Sequence, residues 1–356
     1  MNIKLNDVYI KGRGAQHNPD NRFHLQSYAL DTPEAIDDWE KNKIQTQFFV
    51  EHPKKILNKV ESPDIPMSFS LNPYQGCEHG CIYCYARNSH AYWSFGTGLD
   101  FESKIVIKKN ASTLLRETYS SKSWKPTPIS LSGNTDCYQP IERKLKITRS
   151  ILELCLEFKN PVGIITKNSL ILRDLDLIEA LAKENLVSVY ISITSLNEDL
   201  RRKLEPRTAT YQERLHVIQK LSERGVYVGV MNAPIIPGIN DHHMVEVLRK
   251  ASLAGAKAAG YTLVRLNGDI AQLFKDWLQH TFPDRAQKVL HLISDTHGGQ
   301  LNDSRYGTRM KGEGNIADIL AQQFKMYCNL FHLNEEKFTY NTKLFFKAQK
   351  GQLRLF

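Results

Sequence analysis

Six short runs rich in β-branched residues, at 67–71, 129–132, 162–166, 187–193, 226–231 and 260–265, are separated by stretches whose apolar residues recur every three or four positions. This alternation constrains the fold most, because strand, crossover helix and strand in succession build right-handed units and a parallel sheet. The helical pattern is clearest over 147–158, 172–184, 211–224 and 244–254, with Asn160, Asn185, Gly225 and Gly255 placed where left-handed caps end helices. Six such units predict an α/β fold, a partial (β/α)6 TIM-type barrel of parallel strands whose reactive groups gather at the strands' carboxyl ends.

The barrel core is expected over 65–268. Residues 1–64 read as an N-terminal extension, punctuated by glycine and proline over 11–19, and 269–350 read as a C-terminal α-rich subdomain with helices near 271–280 and 316–331. Six cysteines in 356 residues, three of them scattered (Cys137, Cys155, Cys328), do not make a disulfide framework. The first residues lack the apolar run of a secretory signal, and no run of about eighteen apolar residues follows. The expectation is a soluble cytoplasmic protein with no membrane partner. A net charge of +9 suits a polyanionic partner such as nucleic acid, and equally an ordinary lysine-rich surface.

Cys77, Cys81 and Cys84 lie within eight residues, directly after the first expected strand. Three thiolates can hold three irons of a [4Fe–4S] cube and leave the fourth iron open to another molecule. The other reading is a zinc site completed by His79, His90 or Cys137, although structural zinc usually takes paired ligand spacings and no second pair is present.

The spacing C-x-x-x-C-x-x-C, with Tyr83 before the third cysteine and a barrel pattern around it, resembles the cluster loop of the radical SAM superfamily. That resemblance implies a [4Fe–4S] cluster on Cys77, Cys81 and Cys84, S-adenosyl-L-methionine on the open iron, and its reductive cleavage to a radical that abstracts hydrogen from substrate. It also implies an electron donor such as flavodoxin or ferredoxin. Carried over by position, Gly133, Asn134, Thr135 and Asp136 after the second strand would meet the cofactor's ammonium group, in place of the family's more common Gly-Gly-Glu. Lys167 would pair with its carboxylate, Ser192 and Thr194 would reach carboxylate or ribose, and the segment of Asn232 and Pro234 would border the adenine. Glu205-Pro206-Arg207 and the run from Ala233 to Asp241 resemble a narrower subgroup, which includes spore photoproduct lyase and uncharacterised relatives labelled DNA repair photolyase-like.

That subgroup directs attention to DNA or a nucleotide as substrate, and so to DNA repair or modification. Cys137 is then a candidate catalytic hydrogen donor, its other reading being a small buried hydrophobe. Tyr85, Tyr92 and Trp93, together with Arg305, Tyr306, Arg309 and Lys311, mix aromatic faces with cations and can stack bases and grip phosphates, or simply form a rim. The tail, 351–356, resembles a sliding-clamp-binding peptide through Gln352, Leu353, Leu355 and Phe356, or docks on its own domain. The competing functional classes are a non-catalytic, metal-stabilised DNA-associated module and a radical SAM enzyme acting on a protein or small metabolite.

Overall fold

A computed structural model of the chain describes residues 10–19 and 45–346. The expected clamp-binding residues Gln352, Leu353, Leu355 and Phe356 lie outside the described residues. Six parallel strands stand side by side in chain order: β1 (Phe69–Leu71), β2 (Ile129–Leu131), β3 (Val162–Thr166), β4 (Val187–Ser192), β5 (Tyr227–Ile235) and β6 (Ala258–Leu263). Leu57–Lys59 adds an antiparallel strand beyond β1, so the sheet ends in two different edges and the barrel is partial, as the alternation predicted.

The strands read as apolar runs because both faces are covered. Val162, Ile164, Val187, Val189 and Val228 are fully buried, and helix 147–158 adds Ile151, Leu152, Cys155 and Phe158 from outside at helical spacing. Thr210 opens the helix Tyr211–Glu223 with a capping box closed by Glu213. Asn185, Gly225 and Gly255 take the left-handed conformation expected of them. Asn160 does not. Lys159 turns left-handed one residue earlier, and Asn160 is buried, its amide accepting from Trp124 Nε1 at 3.1 Å and donating to Thr127 O at 3.1 Å.

A second, three-stranded sheet pairs Lys104–Lys108 with Gln47–Glu51 in parallel and with Tyr74–Gln75 antiparallel. It fixes the chain between β1 and the cysteines. Part of the N-terminal extension is therefore integral to the fold. Gly14 and Ala15 donate their N–H groups to the Glu102 carboxylate at 3.0 and 2.8 Å, and a Cβ on Gly14 would stand 1.9 Å from the carbonyl oxygen of Gly80.

The C-terminal helices divide between two apolar clusters. Leu320 and Cys328 of the helix Asn315–Leu330 join the main core, while Ile270, Phe274, Trp277 and Ile293 pack with Cys81, Ile82 and Tyr83 of the cysteine loop. The last described segment crosses the opposite end of the barrel, where Tyr340 OH meets Ser188 Oγ at 2.6 Å and Asn341 N–H donates to Asn185 O at 3.0 Å. Among the described residues no helix is long and apolar enough to cross a membrane.

Candidate functional site

The cysteine loop leaves the small sheet at Gln75 and turns through Gly76 and Gly80, whose φ values of 79° and 68° are open to glycine at little cost. Cys77 and Cys81 are buried and Cys84 is half-buried. Burial pushes all three thiols up, Asp136 adding to the effect at Cys77 and Glu205 at Cys81. Thiols in such a place are held as thiolates by the positive charge of a metal they ligate. Among the described residues no three His, Cys, Asp or Glu side chains converge closely enough to share a single metal ion. In a cubane each thiolate has its own iron, so such convergence is not required.

Arg87 is the inner brace of the loop. It donates twice to Cys81 O, from Nε at 3.0 Å and Nη2 at 2.8 Å, and pairs with Glu102 at 2.5 Å, both side chains being fully buried. Replacing Glu102 with alanine leaves that guanidinium uncompensated and frees the N–H groups of Gly14 and Ala15. The expected result is a loss of about 3–5 kcal/mol in urea unfolding, with residues 10–19 becoming open to limited proteolysis.

The outer brace is the segment Leu204 to Arg207. Ile82 N–H donates to Leu204 O at 3.1 Å, Arg207 N–H donates to His79 O at 3.2 Å, and the Arg207 guanidinium reaches Glu78 at 3.2 Å. Tyr83 OH donates to the Glu205 carboxylate, which also accepts from Thr194 Oγ1 at 3.0 Å and Arg214 Nη2 at 2.7 Å. Burial works against the Glu205 charge, but Arg214 and Lys167 outweigh it and hold the carboxyl at about 2. Arg207 thus ties down the loop from both its backbone and its side chain.

Lys167 follows β3 and stands on the other side of this charge. Its ammonium lies 6.0 Å from the centroid of the Tyr83 ring, and among the described residues no carboxylate or carbonyl hydrogen-bonds to it. Burial opposes its charge, but Glu205 and the thiols of Cys81 and Cys84 leave its pKa raised. Asn232, at 1% exposure, donates from Nδ2 to Ile193 O at 2.8 Å and leaves Oδ1 as a buried acceptor without a donor. Pro234 follows a cis peptide bond, and its carbonyl accepts from Asn240 Nδ2 at 3.1 Å. Ser192 is buried at the end of β4, where its carbonyl accepts from Arg214 Nη1 at 2.9 Å.

Several nominated side chains are committed to the protein's own framework. Asn134 donates to Gln75 at 3.0 Å and to Ser89 at 3.1 Å, and Thr135 donates to Tyr74 O at 2.6 Å. Asp136 accepts from Thr166 Oγ1, Tyr138 N–H and Lys167 N–H at 2.8 to 2.9 Å. Thr194 gives its hydroxyl proton to Glu205 rather than facing outward. Gly133 packs where a Cβ would stand 3.0 Å from that of Ser70, so the end of β2 lies tight on β1. Cys137 is fully buried in the main core, its carbonyl taken by Thr148 Oγ1 at 2.6 Å, and burial pushes its thiol well up. That burial suits the small-hydrophobe alternative for this residue.

Of the two histidines of the zinc alternative, His79 is engaged elsewhere, whereas both ring nitrogens of His90 are buried without a hydrogen-bond partner among the described residues. His79 stands between Asp136, at 3.4 Å from Nδ1, and Asn168, at 3.1 Å from Nε2, and burial lowers it to about 4. His90 is buried against the rings of Phe95 and Phe101.

Comparison with known proteins follows the same lines. The family model of the Radical SAM superfamily matches residues 71–251. An uncharacterized protein of Mycobacterium tuberculosis is 33% identical over 242 residues, 67% of this chain and 71% of that protein. A protein of Pseudomonas phage M6 named Radical SAM Nalpha-GlyT isomerase is 28% identical over 231 residues, 64% of this chain and 46% of its own. Among solved structures, spore photoproduct lyase complexed with dinucleoside spore photoproduct superposes with a TM-score of 0.59 over 80% of this chain and 79% of that one, at 14% identity, a likeness of fold.

Proposed function

The chain belongs to the radical SAM superfamily and is a radical SAM enzyme, and from that premise we propose that Cys77, Cys81 and Cys84 hold a [4Fe–4S] cluster whose open iron takes S-adenosyl-L-methionine. The chemistry such a pair supplies when bound is one-electron cleavage of the sulfonium and hydrogen abstraction from substrate. The protein's part is to bind, orient and exclude water. The observation that carries the reading is Lys167, a half-buried ammonium without a hydrogen-bond partner, beside Tyr83 and two of the cysteines. It would meet the cofactor carboxylate, with the Asn232 Oδ1 acceptor and the Pro234 backbone bordering nucleoside.

The test is anaerobic reconstitution with iron and sulfide, followed by reduction and chromatography for 5′-deoxyadenosine. A brown protein that forms the product supports the reading, and a colourless protein that binds zinc and forms none removes it. Lys167→Met should keep its iron and weaken S-adenosyl-L-methionine binding by about 10- to 100-fold, the worth of a lost charge-assisted pair.

For the substrate we infer a nucleic acid or a nucleotide. The net charge of +9 favours a polyanion, and the solved structure of similar fold carries a dinucleoside. Within this reading the tail residues Gln352, Leu353, Leu355 and Phe356 would tether the enzyme to a sliding clamp, and a flavodoxin or ferredoxin would supply the electron. Transfer of deuterium from a labelled oligonucleotide into 5′-deoxyadenosine is the decisive measurement.

A further inference from the structure

The loop whose cations were candidates for gripping phosphate spends two of them internally. Arg305 pairs with Asp303 at 2.9 Å and Glu313 at 2.6 Å, while Arg309 pairs with Asp64 at 2.5 Å and lies 4.6 Å from the centroid of the Tyr306 ring. Arg265 is a different case. It lies two residues beyond β6 and is half-buried, and among the described residues its guanidinium has neither an ion pair nor a hydrogen bond.

Its neighbours place it at the mouth of the barrel. Asn267 O, two residues on, accepts from Asn88 Nδ2 at 2.8 Å, and Asn88 belongs to the helical turn Tyr85–Trp93 that starts directly after Cys84. Tyr85 donates to Gly133 O at 2.6 Å, which links the cysteine loop to the end of β2, and half of this residue remains exposed. The charged and titratable groups around Arg265 are Arg309, Tyr85, Asp64 and Asp303. Burial comes first, and the nearby Arg309 second, in working against its charge, while Tyr85, Asp64 and Asp303 favour it, the two carboxylates being paired with Arg309 and Arg305 rather than with Arg265.

A guanidinium drawn partly out of water, next to a second cation and with five donors unused, is a deficit that an incoming anion relieves. We propose that Arg265 binds a phosphate group of the substrate and so holds the substrate across the cysteine loop. The planar fork of arginine matches phosphate oxygens in pairs, and the exposed rings of Tyr85 and Tyr306 offer faces on which an attached base can stack. This assignment rests on the radical SAM reading of the site and adds to it the chemistry of the substrate's anchoring group.

The experiment uses fluorescence anisotropy on the reconstituted full chain, with a fluorescein-labelled ten-nucleotide single strand as probe and a nucleoside 5′-monophosphate as competitor. Arg265→Gln should weaken strand binding roughly tenfold and flatten the dependence of log affinity on log salt by about 0.7. Arg265→Lys should restore most of that slope. Competition by the monophosphate identifies a terminal phosphate as the group bound, and its failure to compete identifies a backbone diester. Equal affinity and slope in wild type and the glutamine variant, or a wild type that does not bind the strand, overturn the assignment. Substrate-free formation of 5′-deoxyadenosine by the wild type reports separately on the cofactor reading, so the two can fail independently.

Discussion

Cys81→Ser should yield a folded protein that lacks most of its iron and sulfide and forms 5′-deoxyadenosine more than about a hundredfold more slowly. That exceeds what partners of a metal site's ligands usually cost, because the residue replaced is itself a proposed ligand. Serine keeps the shape of cysteine with a smaller oxygen in place of sulfur, and it is a poor ligand for an iron–sulfur cube, which thiolates hold. The surrounding packing survives the exchange. Ile82 stays anchored to Leu204 O, and the Cys81 carbonyl, which takes both donors of Arg87, is untouched by a side-chain change. Unfolding by urea should therefore shift by no more than about 1 kcal/mol. Cys155→Ala is the matched control. That residue is fully buried in the main core with its sulfur 3.7 Å from Tyr119 OH, so it should lose stability and keep its iron. Iron loss from both variants, or from neither, would sever the link between the loop and the metal.

What could be read before the structure was what repeats locally. The strand 162–166 and the helix 147–158 stand at their expected bounds because a β-branched run and a 3.6-residue apolar period each signal themselves within a dozen residues. The small sheet did not signal itself in that way. Ile105, Val106 and Ile107 are a β-branched run, but between two lysines and outside the strand–helix alternation they have no local partner, and the two strands they pair with lie about thirty and more than fifty residues earlier. Likewise the three cysteines, Tyr83 and Lys167 were legible from spacing and family resemblance, whereas the braces were not. Tyr83 and Glu205 are 122 residues apart, and Arg87 and Glu102 matter only because both are fully buried. The polar run Asn134-Thr135-Asp136 shows the converse. Its composition suits ligand binding, and the fold also gives it hydrogen bonds to Asn72 just beyond β1, to Tyr74 of the small sheet and to Thr166 of β3. Arg265 carries no local signal, since at the end of the run 260–265 it resembles any surface arginine, and only its place two residues beyond β6, without a hydrogen bond or ion pair among the described residues, sets it apart.

Glu205→Gln should be among the most damaging single changes outside the cysteines. The carboxylate is fully buried and is the anion to which Tyr83, Thr194 and Arg214 all donate, with Lys167 held charged in part by the same group. Glutamine keeps the shape but removes the charge, so the Arg214 guanidinium, at 1% side-chain exposure, and the Lys167 ammonium are left as neighbouring cations with no counterion. Breaking a buried pair in this way costs about 3–5 kcal/mol. The pH dependence distinguishes a lost charge from lost packing. In the folded protein the Glu205 carboxyl is held at about 2, below its ordinary 4.5, so its contribution to stability is complete above pH 4.5 and is lost as the pH falls toward 2. The glutamine variant has no proton to take up there. Urea unfolding of the two proteins, compared across pH values, should therefore show a constant gap above pH 5 that closes between about 4.5 and 2. A gap that persists unchanged at the acid end would mean that Glu205 braces the cysteine loop by shape alone, and that the charge shared with Lys167 and Arg214 is not what holds Tyr83 in place.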